Sequence, residues 1–290
     1  MDSGLKFCDL CGIMEKISRI LFAVIVSVAC ALTSMAQGST EYFNLMDLAD
    51  KAAKDGVYER ADSALTAALR LEPGNPSNYL LMSNLGMIRH YMGRDSLALS
   101  TLNMAHDMAP ASVTVLSNRA RVLTDCGRLK EAYADYGHVL RLDSTLTEPR
   151  FYHAVLALRN GDVAAAQADV ARLERMAPND KQTHLAGAAL YGALGNEREA
   201  LACYTRLINV DPQPDYYAMR AELYLHTGDL QEASNDIATA METLKDDAGL
   251  YVLRAALNKA RYRPADAEAD GKRAIELGAD PRMVKRILGN

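Results

Sequence analysis

Arg220 and Asp236 are the residues whose types and spacing most readily suggest chemistry, because an arginine and a carboxylate can bind a ligand or each other. They are the two ends of the stretch RAELYLHTGDLQEASND, and Gly228 lies midway between them. If Gly228 is a turn, each charge lies roughly 12 Å from it along a helix, at about 1.5 Å per residue. The two side chains would then face each other across one helix hairpin.

The same spacing recurs elsewhere in the chain. Three more stretches have a cation and an aspartate at these positions: Arg119 with Asp135, Arg254 with Asp270, and His153 with Asp169. Three others have neither charge: Leu48 with Ala64, Leu85 with Thr101, and Gly187 with Cys203. Because the charges occur together, we interpret them as structural ion pairs inside hairpins. A role in contacting a ligand is the alternative.

Known catalytic and metal-binding motifs are absent from the sequence. It contains no H-E-x-x-H, no G-x-x-x-x-G-K-[ST] and no G-x-S-x-G. His153 and His184 could approach each other in neighbouring hairpins, but two ligands without a third do not make a zinc site. Cys8 and Cys11 form a C-x-x-C that lacks a second ligand pair and the strand–helix context of a redox motif. We therefore predict a non-enzyme without cofactor or metal.

The composition favours a helical protein that does not bind nucleic acid. Of the 290 residues, 49% are hydrophobic, which is enough to bury a substantial core. The formal net charge is -5, so the molecule as a whole lacks the positive charge that binds a phosphate backbone. The chain has 14 Tyr and 13 Met but no Trp and four Phe, which favours packing between helices over a strand-rich fold.

A repeat of about 34 residues organises most of the sequence. A small residue recurs in seven units: Ala49, Gly86, Ala120, Ala154, Ala188, Ala221 and Ala255. Twelve residues later each unit has an alanine: Ala61, Ala98, Ala132, Ala166, Ala200, Ala233 and Ala267. Between the two positions lies a glycine in six units and a tyrosine in the last: Gly56, Gly93, Gly127, Gly161, Gly195, Gly228 and Tyr262. Each unit is predicted to be two amphipathic helices joined by a turn at that position.

The small residues also predict how the two helices of a unit pack. Positions equidistant from the turn face each other, and alanine or glycine on both sides lets the helix axes approach to about 8 Å. A single hairpin cannot bury its apolar face, so neighbouring hairpins must stack.

With these residues the sequence resembles the tetratricopeptide repeat family over residues 42 to 281. The family has a small residue at position 8 of each unit, alanine at 20 and proline at 32, which match Gly86, Ala98 and Pro110 of the second unit. The resemblance implies an all-α, right-handed superhelical solenoid of about seven hairpins. Three units replace the proline, by Ser144, Lys245 and Ala279.

Residues 280 to 290 are predicted to form a C-terminal capping helix, with Asp280 as N-cap and Pro281 in the first turn. Its apolar side would cover the end of the last hairpin with four residues: Met283, Val284, Ile287 and Leu288. Gly271 takes the place of a bulky apolar residue in the last unit. That substitution predicts a loosely packed final hairpin.

The resemblance also implies a partner-binding surface, because in that family the first helix of each hairpin lines a concave groove. The residues at its inward positions are Phe43, Met46, Asp50, Leu80, Met87, His90, Arg121, Phe151, Val155, Leu185, Glu222 and Leu225. Apolar groups with scattered charges suit a protein or peptide ligand. Alternatively, these side chains pack on adjacent hairpins. The cations with which family members clamp the tail of heat-shock chaperones are absent, so that ligand is not expected.

Residues 1 to 36 have the form of a secretory signal peptide. Lys16 and Arg19 precede an apolar run of about 13 residues, shorter than the roughly 20 that span a membrane. Cleavage after Ala36 would leave residues 37 to 41 as a linker and no integral membrane span. Met14 opens this signal, so residues 1 to 13 are interpreted as an over-extended start. Acylation of Cys30 is the lipoprotein alternative.

These features together predict an exported scaffold of the periplasm or outer membrane that binds a protein or peptide and catalyses nothing. The alternative is a non-catalytic subunit that regulates or positions an enzyme or transporter of the cell envelope. The sequence identifies neither the partner nor the oligomeric state.

Overall fold

The computed structural model describes residues 39 to 289, which form fifteen helices and, within that range, no strand. In chain order the helices are α1 (Thr40–Lys54), α2 (Tyr58–Leu71), α3 (Asn78–Tyr91), α4 (Asp95–Met108), α5 (Val113–Asp125), α6 (Leu129–Leu142), α7 (Thr147–Arg159), α8 (Val163–Met176), α9 (Lys181–Ala193), α10 (Glu197–Val210), α11 (Pro214–Thr227), α12 (Leu230–Thr243), α13 (Ala248–Ala260), α14 (Pro264–Glu276) and α15 (Pro281–Leu288). The predicted signal peptide, the Cys8–Cys11 motif and Cys30 lie outside the described residues.

The chain forms two compact units that divide between residues 149 and 150. In the first unit α1 packs with α2, α3 with α4 and α5 with α6. In the second, α7 pairs with α8, α9 with α10, α11 with α12 and α13 with α14, and α15 packs on the last pair. The prediction of seven hairpins and a C-terminal helix in an all-α fold is confirmed. Helix α1 starts inside the predicted linker, capped by Ser39.

Every hairpin turn contains one residue in the left-handed conformation, at the predicted position. Six of these are the repeat glycines, with φ between 70° and 84°, a conformation that only glycine adopts without cost. The seventh is Tyr262, with φ 56° and 92% of its surface exposed. A side chain in this conformation costs about 1–2 kcal/mol, so the last turn is less favourable than the other six.

Small residues lie where the two helices of each hairpin cross. The seven alanines of the second helices are all buried, with at most 2% of their surface exposed. At Gly86, an added Cβ would lie 2.5 Å from Cγ of Leu102, far inside carbon van der Waals contact. As α3 and α4 are packed, the space beside Gly86 is therefore filled by the Leu102 side chain.

The predicted ion pairs within hairpins are confirmed, and they form bidentate hydrogen bonds. Arg220 donates from Nε and Nη2 to the two carboxylate oxygens of Asp236, each at 2.8 Å. Arg119 reaches Asp135 in the same way at 2.7 and 2.8 Å, and Arg254 Nη2 lies 2.6 Å from Asp270. The aspartates are buried, so each carboxylate depends on its arginine for counter-charge. Asp270 also accepts a hydrogen bond from Asn258 Nδ2 at 2.9 Å.

Hairpin α7–α8 contains a cation that the spacing rule misses. His153 Nδ1 lies 2.5 Å from one carboxylate oxygen of Asp169, as predicted. Arg150, one helical turn earlier on α7, donates from Nη1 to the other oxygen at 2.8 Å. The histidine is therefore supplemented by a buried arginine.

The C-terminal helix corrects one prediction. Asp280 caps α15 and Pro281 lies in its first turn, as predicted. Val284 is buried with Val252 and Ala274, and Ile287 and Leu288 pack around them. A Cβ at Gly271 would lie 2.9 Å from Val284 and 3.0 Å from Leu288. The prediction of a loose final hairpin is wrong, because Gly271 makes room for the capping helix.

We predict that Asp236→Ala alone destabilises the protein more than the double change Arg220→Leu with Asp236→Ala. The single change leaves a guanidinium that is only 16% exposed without its carboxylate, a loss of about 3–5 kcal/mol in a fully buried case. The double change reproduces the Leu48 and Ala64 pair of the first hairpin. Chemical denaturation measures both free energies of unfolding.

The matched comparison is Arg220→Leu alone, which leaves the carboxylate unpaired. If the loss in the double variant equals the sum of the two single losses, Arg220 and Asp236 do not stabilise one another.

Candidate partner-binding surface

Phe43 is the most accessible apolar residue of the predicted surface, with 42% of its area exposed. It lies on α1 with Met46 and Asp50, at a spacing that puts all three on one helix face. Its ring meets that of Tyr42 edge to face, with centroids 5.8 Å apart. Tyr42 is buried and donates to Asn78 Oδ1 at 3.0 Å, so the helical turn that carries Phe43 is anchored.

Two further residues of this face are held by the protein itself. Met46 is half-buried against the core of the first hairpin, and Asp50 pairs with Lys54 on the next turn of α1. Of the three residues on this face, Phe43 is therefore the side chain that is exposed to a partner.

The hydrogen bond that anchors this turn is maintained at neutral pH. Burial, with the charge of Glu72 added, raises the pKa of Tyr42 to about 12, so its hydroxyl stays protonated as the donor to Asn78.

On α3, the structure corrects the prediction for Met87. Helix α3 packs against α2, α4 and α5, and Met87 is only 1% exposed. A side chain buried to that extent cannot contact a ligand, so its role is in the core. Leu80, two helical turns earlier, is half-buried.

His90 lies between two carboxylates rather than facing solvent freely. Its Nδ1 is 2.7 Å from Asp95 Oδ1, at the start of α4, and its Nε2 is 3.0 Å from Asp125 Oδ2, at the end of α5. The imidazole thus joins the second hairpin to the third. Sequence reasoning missed these partners, although Asp125 lies one repeat step and one residue beyond His90, which places it on the adjacent first helix.

The environment of His90 favours its charged form. Burial lowers the pKa of the ring, but the hydrogen bonds and charges of Asp125 and Asp95 outweigh it and raise the pKa above its usual value. Cys126 faces the same carboxylates, and burial followed by the charges of Asp95 and Asp125 raises the pKa of its thiol. The raised pKa keeps the Cys126 thiol protonated, which makes it a poor nucleophile.

Arg121 is also engaged within the protein. Its Nη2 lies 2.7 Å from Oε1 of Glu148, and both side chains are half-buried. The guanidinium therefore contributes a fixed, satisfied charge to this side of the first unit.

In the second unit, the predicted residues do not share one environment. Phe151 is 2% exposed, edge-on to Tyr152 with centroids 5.1 Å apart, and Leu185 is 7% exposed. For these two the predicted surface role is wrong, because they pack in the core. Val155 and Leu225 are half-buried and Glu222 is exposed.

Within residues 39 to 289, no three His, Cys, Asp or Glu side chains come together as a metal site requires. No helix in the same range combines the length and apolar character of a membrane span. What the first unit presents is an anchored, exposed aromatic beside charges that are mostly paired.

Comparisons with known proteins agree with this architecture. A family model described as a tetratricopeptide repeat matches residues 186 to 214. The chain is similar to the crystal structure of a tetratricopeptide repeat protein from Parabacteroides merdae, with 28% identity and a TM-score of 0.70, covering 87% of this chain and 98% of that one. The search of curated proteins gave no match.

Two more distant solved structures share the fold. One belongs to the APC/C hetero-tetramer Cut9-Hcn1, with 13% identity and a TM-score of 0.70, covering 93% of this chain and 52% of that one. The other is PilW, a type IV pilus biogenesis factor, with 17% identity and a TM-score of 0.65, covering 73% of this chain and 98% of that one. With the repeat residues and hairpins described above, these similarities show a tetratricopeptide-like fold.

We predict that replacing His90 by Gln lowers the free energy of unfolding more at about pH 5.5 than at about pH 8.5. Because the folded-state pKa is raised, the stabilisation is complete below the unfolded value of about 6.5 and is lost as the pH rises through the folded pKa. The expected difference is roughly 1 kcal/mol for a partly exposed pair.

Urea denaturation at the two pH values measures this difference, with the exposed His226→Gln as the control. An equal loss at both values would mean that the charged imidazole does not join the hairpins.

Proposed function

We propose that this protein is an exported, non-enzymatic scaffold of the cell envelope, which binds a protein or peptide through the first helices of its hairpins. Tetratricopeptide repeats bind protein partners in general, and that broad role follows from the fold. Export rests on the signal-like sequence of residues 1 to 36, and placement in the periplasm or at the outer membrane rests on export.

The observation that carries the binding proposal is the setting of Phe43. An aromatic ring exposed by 42% on a turn anchored by the Tyr42–Asn78 hydrogen bond loses little freedom when a partner covers it. Aromatic anchors of this kind dominate protein interfaces. The half-buried Met46 on the same helix face extends its apolar contact area.

The alternative is a non-catalytic subunit that regulates or positions an envelope enzyme or transporter. Such a subunit would use the same surface, but with one stoichiometric partner. Separating the two requires the identity of what binds, since a repeat fold is compatible with either.

We predict that Phe43→Asp releases the partner that co-purifies with the chain from envelope extracts of its native host. Loss of one buried aromatic contact removes about 1.5–3 kcal/mol of binding, a tenfold or larger drop in affinity. The neighbouring Asn44 is exposed on the same turn, so Asn44→Asp adds the same charge and should retain the partner. Both variants should melt like the parent.

Retention of the partner by Phe43→Asp would locate the binding surface elsewhere. A single stoichiometric enzyme or transporter in the eluate would favour the regulatory alternative, while varied peptide clients support the scaffold. N-terminal sequencing of the same material checks export: we expect a start near Gln37, and an intact Met1 or Met14 would contradict it.

A further inference from the structure

A pocket of about 340 Å³ opens in the second unit, between the end of α8 and the hairpin of α9 and α10. Its lining includes Glu174, Thr183, His184, Cys203 and Arg206. The volume lies in the range of small-molecule and side-chain binding sites. None of these residues belongs to the surface around Phe43, so the pocket requires its own explanation.

The pocket is lined by Cys203, at the repeat position that holds the ion-paired aspartate in other hairpins. The residue just before the small repeat residue is Arg220 in the sixth hairpin and Arg254 in the seventh, but Gly187 in the fifth. The facing residue is Asp236 or Asp270 in those hairpins, but Cys203 in the fifth. A Cβ at Gly187 would lie 2.8 Å from Cys203 Sγ, so the two positions do face each other. The fifth hairpin therefore lacks both the guanidinium and its aspartate.

The aromatic rings that flank the guanidinium elsewhere have counterparts here. Arg220 lies over the rings of Tyr217 and Tyr224, at 5.8 and 5.7 Å. One repeat earlier, the equivalent residues are His184 and Tyr191. Two flat rings thus occupy the repeat positions between which an arginine stacks in the neighbouring hairpin.

A carboxylate is also in place. In the seventh hairpin, Arg254 Nη1 lies 3.4 Å from Met241 Sδ on the preceding helix. Two repeats earlier, the position of Met241 is occupied by Glu174, which lines the pocket and accepts a hydrogen bond from Tyr191 at 3.1 Å. A guanidinium in the pocket would therefore have an anion where Arg254 has a thioether.

Other pocket groups can accept hydrogen bonds but cannot supply the charge themselves. The hydroxyl of Thr183 is buried and has no hydrogen-bond partner among the described residues. Burial, reinforced by the charge of Arg206, lowers the pKa of His184, which leaves a neutral ring with one accepting nitrogen. Burial raises the pKa of Cys203 to about 11, so its thiol is not an anion at neutral pH.

Arg206 is the cation already present in the lining of the pocket. Its equivalent in the seventh hairpin is Arg273, whose guanidinium lies 6.0 Å from the ring of Tyr251. Arg254 lies 4.8 Å from the same ring. Two arginines therefore share one tyrosine in that hairpin, where Asp270 pairs with Arg254 and Asp246 and Glu276 pair with Arg273. The fifth hairpin has Cys203, Asn179 and Asn209 at these positions, so Glu174 is the carboxylate of the pocket lining that faces the positive charge.

We propose that this pocket binds a guanidinium group from outside the chain, in the position that the neighbouring hairpins fill with their own arginine. The group can belong to an arginine side chain of a bound protein or to a small guanidinium compound, since the recognised chemistry is the same. This site is separate from the Phe43 surface and adds to the proposed function without depending on it.

The direct test is calorimetric titration of the full chain with N-acetyl-Gly-Arg-Gly-amide. We expect saturable binding, at least about tenfold weaker for the citrulline peptide, which keeps the shape but lacks the charge. Glu174→Gln should weaken binding of the arginine peptide by about tenfold. Glu232→Gln, which changes an exposed carboxylate on α12, should leave binding unchanged. If free arginine binds as tightly as the peptide, the ligand is a small molecule. If the peptide binds more tightly than free arginine, the ligand is a protein.

A second variant fills the pocket from within. Gly187→Arg with Cys203→Asp rebuilds the ion pair of the neighbouring hairpins, so it should raise the melting temperature and abolish peptide binding. Equal binding of arginine and citrulline peptides, or an unaffected Glu174→Gln, would overturn the proposal. Because Glu174 is exposed, the Glu174→Gln result decides the question even if the double variant does not fold.

Discussion

The close approach of two helices at small residues is the constraint on which the rest of this structure depends. Where the helices cross, Gly86 leaves no room for a methyl group beside Leu102, and the repeat alanines are almost fully buried. At this separation, residues equidistant from the turn must be complementary in size and charge. One lengthened side chain would separate the helices and expose the core between them.

The ion pairs and the pocket both follow from that complementarity. Arginine and aspartate fill the position beside the crossing in the hairpins of α5–α6, α11–α12 and α13–α14. Glycine and cysteine fill it in α9–α10, where Cys203 lines a pocket. The same position therefore stabilises three hairpins and lines a recess in another.

Much of the fold could be predicted from the sequence, because local patterns determine it. The turn glycines, the crossing alanines and the charges 16 residues apart are all set by spacing within one hairpin. Met87 and Phe151 were placed on a surface but are buried, since burial depends on contacts between hairpins, which a position within one repeat does not specify. The prediction for Gly271 is wrong for the same reason, because Gly271 packs against the capping helix, which lies outside the repeat.

The candidate site was less predictable than the fold. Phe43 could be identified by its repeat position, but its anchoring through Tyr42 and Asn78 involves a neighbouring hairpin. His90 was identified without Asp95 and Asp125, the two groups that determine its charge. Arg150 escaped the spacing rule because it reaches Asp169 from a different turn of α7. In each case, the missing information was a contact between side chains that are distant in sequence or outside the repeat pattern.

The free energy of unfolding of Gly86→Ala tests the central constraint most directly. Alanine is the better helix former by about 1 kcal/mol, whereas overpacking against Leu102 costs about 1–3 kcal/mol. Gly192→Ala is the matched control, since Gly192 is a helical glycine with nothing within 4 Å of an added Cβ. Close helix approach predicts that Gly86→Ala destabilises the protein while Gly192→Ala does not. Stabilisation by both changes would contradict it.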